Sequence, residues 1–248
     1  MHTMTPAALN EEPELSIVIP VYNEAAIVED SLRGFYARVE KFNRRFEIIV
    51  AENGSQDETA EIVRRLTQEL PSVRLLQIHE PNYGKALRAG IMAARGRYIH
   101  CDEIDICDAD FHRRALELCV GEDGGFDVVV GSKTMRGSRD RRPFFRRAAT
   151  TMINGMLRVS LGFRGTDTHG LKALRRASII PIVERCVVDR DMFASELVIR
   201  AERAKMRIVE IPLDLKEKRQ PPIRLTRRVP RVLGNLMQLV YVIRFRQS

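Results

Sequence analysis

The sequence predicts an α/β fold with a mainly parallel central sheet flanked by helices, and three observations carry that prediction. Short apolar runs, several ending in proline or a polar cluster, recur through the first hundred positions, as buried strands do. Between them lie longer segments with apolar residues at helical spacing, so strands and helices alternate, which implies right-handed crossovers between parallel strands. A length of 248 residues with 44% hydrophobic residues suits one large domain with a sizeable interior.

Taken in order, LSIVIP (15–20) reads as a buried strand closed by proline, and NEAAIVEDSLRGFYARVEKF (23–42) as a helix. FEIIVA (46–51) is a second strand, followed by the turn-rich ENGSQDE and a helix over 59–70. VRLLQIH (73–79) is a third strand, GKALRAGIMAARG (84–96) a helix stopped by Gly96, and RYIHC (97–101) a fourth strand. FHRRALELC (111–119) is helical, with Asp108 or Asp110 as its cap. The second half is less regular. FDVVVGSK (126–133) is a strand, AATTMINGMLRVSL (148–161) a helix, and RGTDTHGLKALRR (164–176) a polar, glycine-bearing site loop. A helix over 194–204 leads to the strand RIVEIPL (207–213), a basic stretch, and the amphipathic tail VLGNLMQLVYVIRFR. Residues 1–13 read as a frayed acidic leader, 14–225 as one domain in two halves (14–106 and 107–225), and 226–248 as a basic amphipathic C-terminal helix.

Composition narrows the partners. A net charge of +8 and a pI near 9.6 call for an anion: nucleic acid, a phosphorylated ligand or an acidic membrane surface. Nucleic acid is the remote choice, because the arginines are not interleaved with stacking aromatics. The run LMQLVYVI falls well short of the roughly 20 residues of a membrane span. No secretory signal is visible, so the expected location is cytoplasmic, peripheral at the inner face of the membrane. Cys101, Cys107, Cys119 and Cys186 form no C-x-x-C pair. A zinc site from His100, Cys101, Cys107 and His112 fits no standard spacing, and reduced thiols are the better reading.

Against this basic background, Asp102, Glu103, Asp105, Asp108 and Asp110 crowd into nine positions after the fourth strand. Carboxylates so placed repel one another unless a cation sits among them, and hard divalent ions with oxygen ligands, Mg²⁺ or Mn²⁺, suit them. Glu103 and Asp105, at the strand exit, are the expected metal ligands.

The ordered motifs SIVIPVYNE, ENGSQDET, YGKALRAGI, GRYIHCDEID and TDTHGLKALRR, spread over residues 14 to about 230, resemble the family 2 glycosyltransferases of GT-A, Rossmann-like fold. Within them the chain is most similar to the polyprenyl-phosphate, dolichol-phosphate mannose synthase-like branch. The resemblance implies a nucleoside diphosphate sugar cradled by Pro20, Tyr22, Asn23 and Glu24 after the first strand. Glu52, Asn53, Gly54, Ser55 and Asp57 would follow after the second, with Lys85 beside them. Asn53 stands where the family carries an aspartate, so the base, guanine or uracil, stays open. The family's D-x-D metal motif falls on Glu103 and Asp105 when counted from Gly96, rather than on the literal DAD at 108–110. Lys133, Arg146, Thr150 and Asn154 match the acceptor-phosphate pattern, the last three on one helical face. Lys218 and Arg219 align with a cation near the donor diphosphate. Asp167 matches an aspartate at the reacting centre, with His169 and Lys172 close by. For an alcohol acceptor Asp167 would be the general base; an ionised phosphate needs none, and Asp167 would then orient the loop.

The expected activity is metal-dependent, inverting transfer from a GDP-mannose or UDP-glucose type donor to a polyprenyl phosphate at the membrane surface. The alternative keeps the fold and changes the acceptor to a soluble sugar or small alcohol, with Asp167 as general base; the expected catalytic residues are Asp105, Asp167 and Arg146.

Overall fold

The computed structural model describes residues 12–121, 124–140, 144–215 and 225–245, with side chains left aside at 139–140, 144–146, 191, 215 and 225–233. The first half follows the alternation read from the sequence. β1 (Leu15–Val21) leads to α1 (Val28–Val39), β2 (Phe46–Glu52) to α2 (Thr59–Glu69), and β3 (Val73–Gln77) to α3 (Tyr83–Ala93). β4 (Tyr98–Cys101) precedes α4 (Ala109–Val120). Then come β5 (Val128–Ser132), β6 (Arg139–Asp140), α5 (Phe144–Leu161), β7 (Lys172–Arg175) and α6 (Arg176–Arg185). α7 (Phe193–Arg203), β8 (Ile208–Pro212), β9 (Asp214–Leu215) and α8 (Leu225–Phe245) complete the chain.

Seven strands form one sheet in the order β3-β2-β1-β4-β7-β5-β8, and β6 pairs with β9 in a separate ribbon. All neighbours in the sheet are parallel except β7, which runs antiparallel to both β4 and β5. β1 is buried along its whole length because helices cover both faces. Its alternation divides the interior: Leu15, Ile17 and Ile19 pack with Leu32 and Phe35 of α1, Leu66 of α2 and Phe111 of α4. Val18 faces Leu87 and Ile91 of α3 and the cluster built from α5 to α8. Each of these fully buried large side chains contributes about 1.5–3 kcal/mol.

Three local readings are corrected. The first helix begins at Val28 rather than at residue 23: Asn23 takes a left-handed φ of +54°, and a turn on the Glu24 carbonyl fills the gap. The stretch 164–176 is not loop throughout, since its end, KALR, is β7. The following helix α6 went unread because Pro181 lies inside it. The tail helix α8 packs Leu236, Leu239, Val242 and Ile243 inward, while Met237, Tyr241 and Phe245 stay exposed. Among the described residues no helix is long and apolar enough to cross a membrane.

This topology sets up a site. The carboxyl ends of β1, β2, β4 and β5 share one edge of the sheet, and the chain enters antiparallel β7 at that same edge. Polar loops therefore converge there.

Candidate active site

Two of those loops are stitched together. The Asn23 amide donates to Ser55 Oγ at 3.0 Å, and Asn23 Oδ1 accepts from the Gln56 amide at 2.8 Å. The Glu24 amide donates to Thr59 Oγ1 at 2.8 Å, and Asp57 accepts from the amides of Ala25 and Thr59. Asp57 thus acts as a local clasp, held below its usual range: burial opposes ionisation, and the Thr59 and Ala25 donors outweigh it. Glu52 is buried and accepts from the Ser55 amide. Gly54 has φ +81°, and a Cβ there would lie 3.1 Å from the Glu80 amide nitrogen, so this turn needs glycine. Pro20 is buried in β1, whereas Tyr22 is 38% exposed. Asn53 is buried with its Oδ1 unpartnered, an acceptor at the mouth of the sheet. Lys85 pairs with Glu80 at 2.6 Å on the first turn of α3, whose N-cap is Asn82.

At the end of β4 the acidic residues part company. Asp102 is buried; its Oδ1 accepts from the Glu103 amide at 2.6 Å, and its Oδ2 from the Asp108 amide at 3.0 Å and from His112 Nε2 at 2.7 Å. Asp108 is the N-cap of α4, accepting from the Phe111 amide, and Asp110 pairs with Arg113 and Arg114. Glu103 and Asp105 remain half-buried at the edge. Burial pushes the Glu103 carboxyl up, Lys133 draws it down, and the charges of Asp105 and Asp102 push it up again. Tyr83, 37% exposed on the first turn of α3, adjoins this group: partial desolvation of its phenol, then the charges of Glu103, Cys101, Asp102 and Asp105, raise it above the ordinary value. Among the described residues no three His, Cys, Asp or Glu side chains gather as a metal-holding group. Glu103 and Asp105, the ligands expected from the sequence, are oxygen donors of the type a hard divalent ion takes, and its remaining oxygens would have to come from a bound ligand and water. The four residues of the zinc alternative are not such a group either: His100 and His112 turn their Nδ1 atoms towards each other at 3.0 Å, and the two cysteines are buried and outside any disulfide.

The third wall is the loop before β7. Asp167 is fully buried; its Oδ1 accepts from the His169 amide at 2.8 Å and its Oδ2 from the Lys133 amide at 3.2 Å. Burial opposes its ionisation, but Lys133 and those backbone donors hold it below the usual carboxylate range. Lys133 Nζ donates to the His169 carbonyl at 3.1 Å, and Lys172, buried and drawn down by that burial, donates to the Gly170 carbonyl at 2.7 Å. Sequence reasoning missed Glu210 on β8, which accepts from the Thr166 amide and hydroxyl, each at 2.6 Å, and from the Asp167 amide. No local signal marks it, since its partners lie 43 and 44 positions away. Tyr83 was missed for a similar reason. A Cβ at Gly170 would sit 1.6 Å from the Gly131 carbonyl oxygen, so the loop reaches β5 only through glycine.

The structure therefore brings together Glu103, Asp105, Lys133, Asp167 and Lys172. Asn154, buried on α5, donates to the Thr166 carbonyl at 2.7 Å and leaves its Oδ1 unpartnered. Thr150 lies one turn before it. The Arg146 backbone is in α5 while its side chain is outside the described residues, as are Lys218 and Arg219 altogether.

Comparison with known proteins gives a family match and a set of relatives. The profile of "Glycosyl transferase family 2" matches residues 16–180. "Glycosyltransferase AglD" of Haloferax volcanii is 31% identical over 86% of this chain and 35% of its own length. An "Undecaprenyl-phosphate 4-deoxy-4-formamido-L-arabinose transferase" of Edwardsiella ictaluri is 31% identical over 80% of this chain and 59% of its own. The chain thus spans between about a third and three fifths of these relatives. Among solved structures, glucosyl-3-phosphoglycerate synthase from Mycobacterium tuberculosis, in complex with Mn²⁺, UDP and glucosyl-3-phosphoglycerate, superposes with a TM-score of 0.66 at 17% identity, covering 94% of this chain and 82% of that one. A mannosyltransferase from Pyrobaculum calidifontis, in complex with GDP-Man and Mn²⁺, gives 0.59 at 18% identity over 97% and 66%. These likenesses establish a shared GT-A fold.

Proposed function

The chain belongs to glycosyl transferase family 2, and on that premise we propose that it moves a sugar from a nucleoside diphosphate sugar to a polyprenyl phosphate at a membrane surface. The donor is of the GDP-mannose or UDP-glucose type, the transfer inverts the anomeric carbon, and the cofactor is Mg²⁺ or Mn²⁺. Relatives named for undecaprenyl phosphate support the acceptor, and fold neighbours holding UDP or GDP-Man with Mn²⁺ support donor and metal.

Glu103 and Asp105 fit a hard divalent ion in donor type and charge. Bound there, the ion would supply positive charge for the departing diphosphate. The stitched loops of Asn23, Glu24, Glu52, Asn53, Gly54 and Ser55, with Pro20 and Tyr22, hold base and ribose in this reading. Lys85, Lys218 and Arg219 serve the donor's phosphates. Lys133, Arg146 and Thr150 serve the acceptor phosphate, and an arginine fork is well matched to phosphate oxygens.

One observation carries the choice of acceptor. Asp167 has both carboxylate oxygens occupied by backbone amides, and its proton affinity is lowered. Such a group is a poor general base, and an alcohol acceptor requires one. A phosphate is already ionised at neutral pH. The test is transfer by the purified chain with Mn²⁺, a panel of nucleotide sugars, and a short polyprenyl phosphate in micelles. We expect transfer to the lipid that drops by on the order of 10³-fold or more in Asp105→Ala. In Asp167→Asn it should stay within about tenfold per folded molecule. Transfer to a soluble alcohol without lipid, lost by about 10²- to 10⁴-fold in Asp167→Asn, would establish the general-base alternative instead.

Helices α5 and α8 support work at a membrane surface. They line an apolar groove of about 690 Å³ through Met152, Met156, Val159, Met237, Tyr241 and Phe245. Val159, Met237 and Phe245 are each more than 70% exposed. The two helices carry three and four arginines respectively and no aspartate or glutamate. Anionic lipid offers both the apolar phase and the opposite charge.

A further inference from the structure

The turn that carries Glu103 and Asp105 is held from beneath by a buried chain of three polar side chains. Asp102 Oδ1 and Oδ2 accept from the Glu103 and Asp108 amides at 2.6 and 3.0 Å, so one carboxylate spans both ends of the turn. Inside it, the Glu103 carbonyl accepts from the Ile106 and Cys107 amides at 2.9 and 3.0 Å, and Cys107 takes a left-handed φ of +49°. That conformation costs a residue other than glycine energy, and the surroundings must impose it.

Asp102 is in turn held by His112, on the first turns of α4. His112 is fully buried, with Nε2 2.7 Å from Asp102 Oδ2. Its ring is fixed on three sides, by Phe35, Phe111 and His100, at centroid distances of 5.5, 5.3 and 5.1 Å. A carboxylate accepts, so His112 Nε2 donates to Asp102. The Nδ1 atoms of His112 and His100 face each other across 3.0 Å and share one proton between them. His100 Nε2 ends the chain, buried and without a partner. The contacts therefore run from His100 to His112 to Asp102 to the turn.

We propose that His112 is a positioning residue for the divalent ion: through Asp102 it fixes the placement of Glu103 and Asp105. This rests on the reading of those two residues as metal ligands. Partners that orient ligating carboxylates from behind commonly set metal affinity without touching the metal. The nucleotide loops after β1 and β2 are stitched separately, through Asn23, Ser55, Gln56 and Thr59. Loss of His112 should therefore weaken metal-dependent binding and spare the metal-independent part.

The experiment titrates Mn²⁺ against UDP and GDP binding by calorimetry, on the full chain, for wild type, His112→Phe and His112→Gln. The apparent Mn²⁺ constant should weaken by about 10- to 100-fold in His112→Phe, with nucleotide affinity in EDTA unchanged. His112→Gln, whose amide nitrogen reaches the former Nε2 position, should recover most of the loss. If His112→Phe does not fold, Asp102→Asn gives the same reading, with a weakening at least as large. An unchanged Mn²⁺ constant, or equal losses with and without metal, overturns the proposal. A wild-type protein whose nucleotide binding ignores Mn²⁺ would remove the metal reading itself, and this inference with it. Wild-type dependence that survives in every variant removes the inference alone.

Discussion

Replacing Asp167 by asparagine separates loop organiser from catalytic base with a single change. The carboxylate accepts from the His169 amide at 2.8 Å and the Lys133 amide at 3.2 Å. Asparagine keeps one acceptor oxygen and presents an NH₂ where the other was. One of the two buried amides then faces a donor. A stranded buried N–H costs about 1–3 kcal/mol, and losing the charge-assisted character of the remaining bond brings the expected loss to about 2–4 kcal/mol. The pH dependence carries a sign. The folded Asp167 carboxyl lies below its ordinary range, once burial is outweighed by Lys133 and the backbone donors. Its contribution is therefore complete above the unfolded value, about 4, and fades as pH falls through the lower folded value. The gap in stability between wild type and Asp167→Asn should be widest near neutrality and narrow in acid. Urea unfolding of both proteins at several pH values measures it, beside transfer rates corrected for the folded fraction. A variant as stable as wild type, yet inactive by about 10³-fold or more, would refute the assignment and make Asp167 a base.

Other perturbations test other parts of the structure. Gly170→Ala would drive a Cβ to within 1.6 Å of the Gly131 carbonyl oxygen; the loop must move off β5, and circular dichroism with solubility assays should show a protein destabilised by on the order of 3 kcal/mol or more. Glu47, buried at the amino end of β2, accepts from Ser16, from the Arg95 amide and from the Arg95 and Arg74 guanidiniums. Glu47→Gln points an amide at two cations and should cost about 2–4 kcal/mol in thermal unfolding near neutral pH. Its transfer rate per folded molecule should not change, because the site is at the opposite end of the strands. Met237→Glu with Tyr241→Glu on the exposed face of α8 should abolish flotation with anionic liposomes at low salt while leaving the melting temperature within a few degrees; retained flotation would move the contact elsewhere.

What the sequence displays well is periodic. Strands β1 to β5 and helices α1 to α4 were legible because each is a run of apolar residues with one period, bounded by proline, glycine or polar turns. β7 was not. Its four residues, KALR, contain two cations, and Lys172 is buried only because the Gly170 carbonyl receives its ammonium. A pattern rule that places lysine outside cannot find such a strand. The antiparallel direction of β7 was hidden for a related reason, since strand direction depends on where the preceding loop crosses the sheet. Glu210 was hidden because its role depends on a meeting with Thr166 and Asp167 that only the sheet arranges.

The acidic island shows the same limit at finer grain. By spacing alone Asp102, Glu103, Asp105, Asp108 and Asp110 are five similar carboxylates. Burial and backbone direction divide them. The strand ends by turning Asp102 inward, where two amides and His112 use it fully, and Asp108 and Asp110 are spent on the cap and flank of α4. Glu103 and Asp105 stay half-buried at the edge, where the cations acting on Glu103 are Lys133 and Lys172 and the like charges are Asp105 and Asp102. Burial and the flanking carboxylates raise the Glu103 carboxyl while the two lysines lower it; in the proposed function, a divalent ion at this edge would ease the repulsion between Glu103 and its acidic neighbours. The same proposal fits the basic chain around the site, since the ion's other ligands would be phosphate oxygens, and phosphates bring negative charge that arginine and lysine answer.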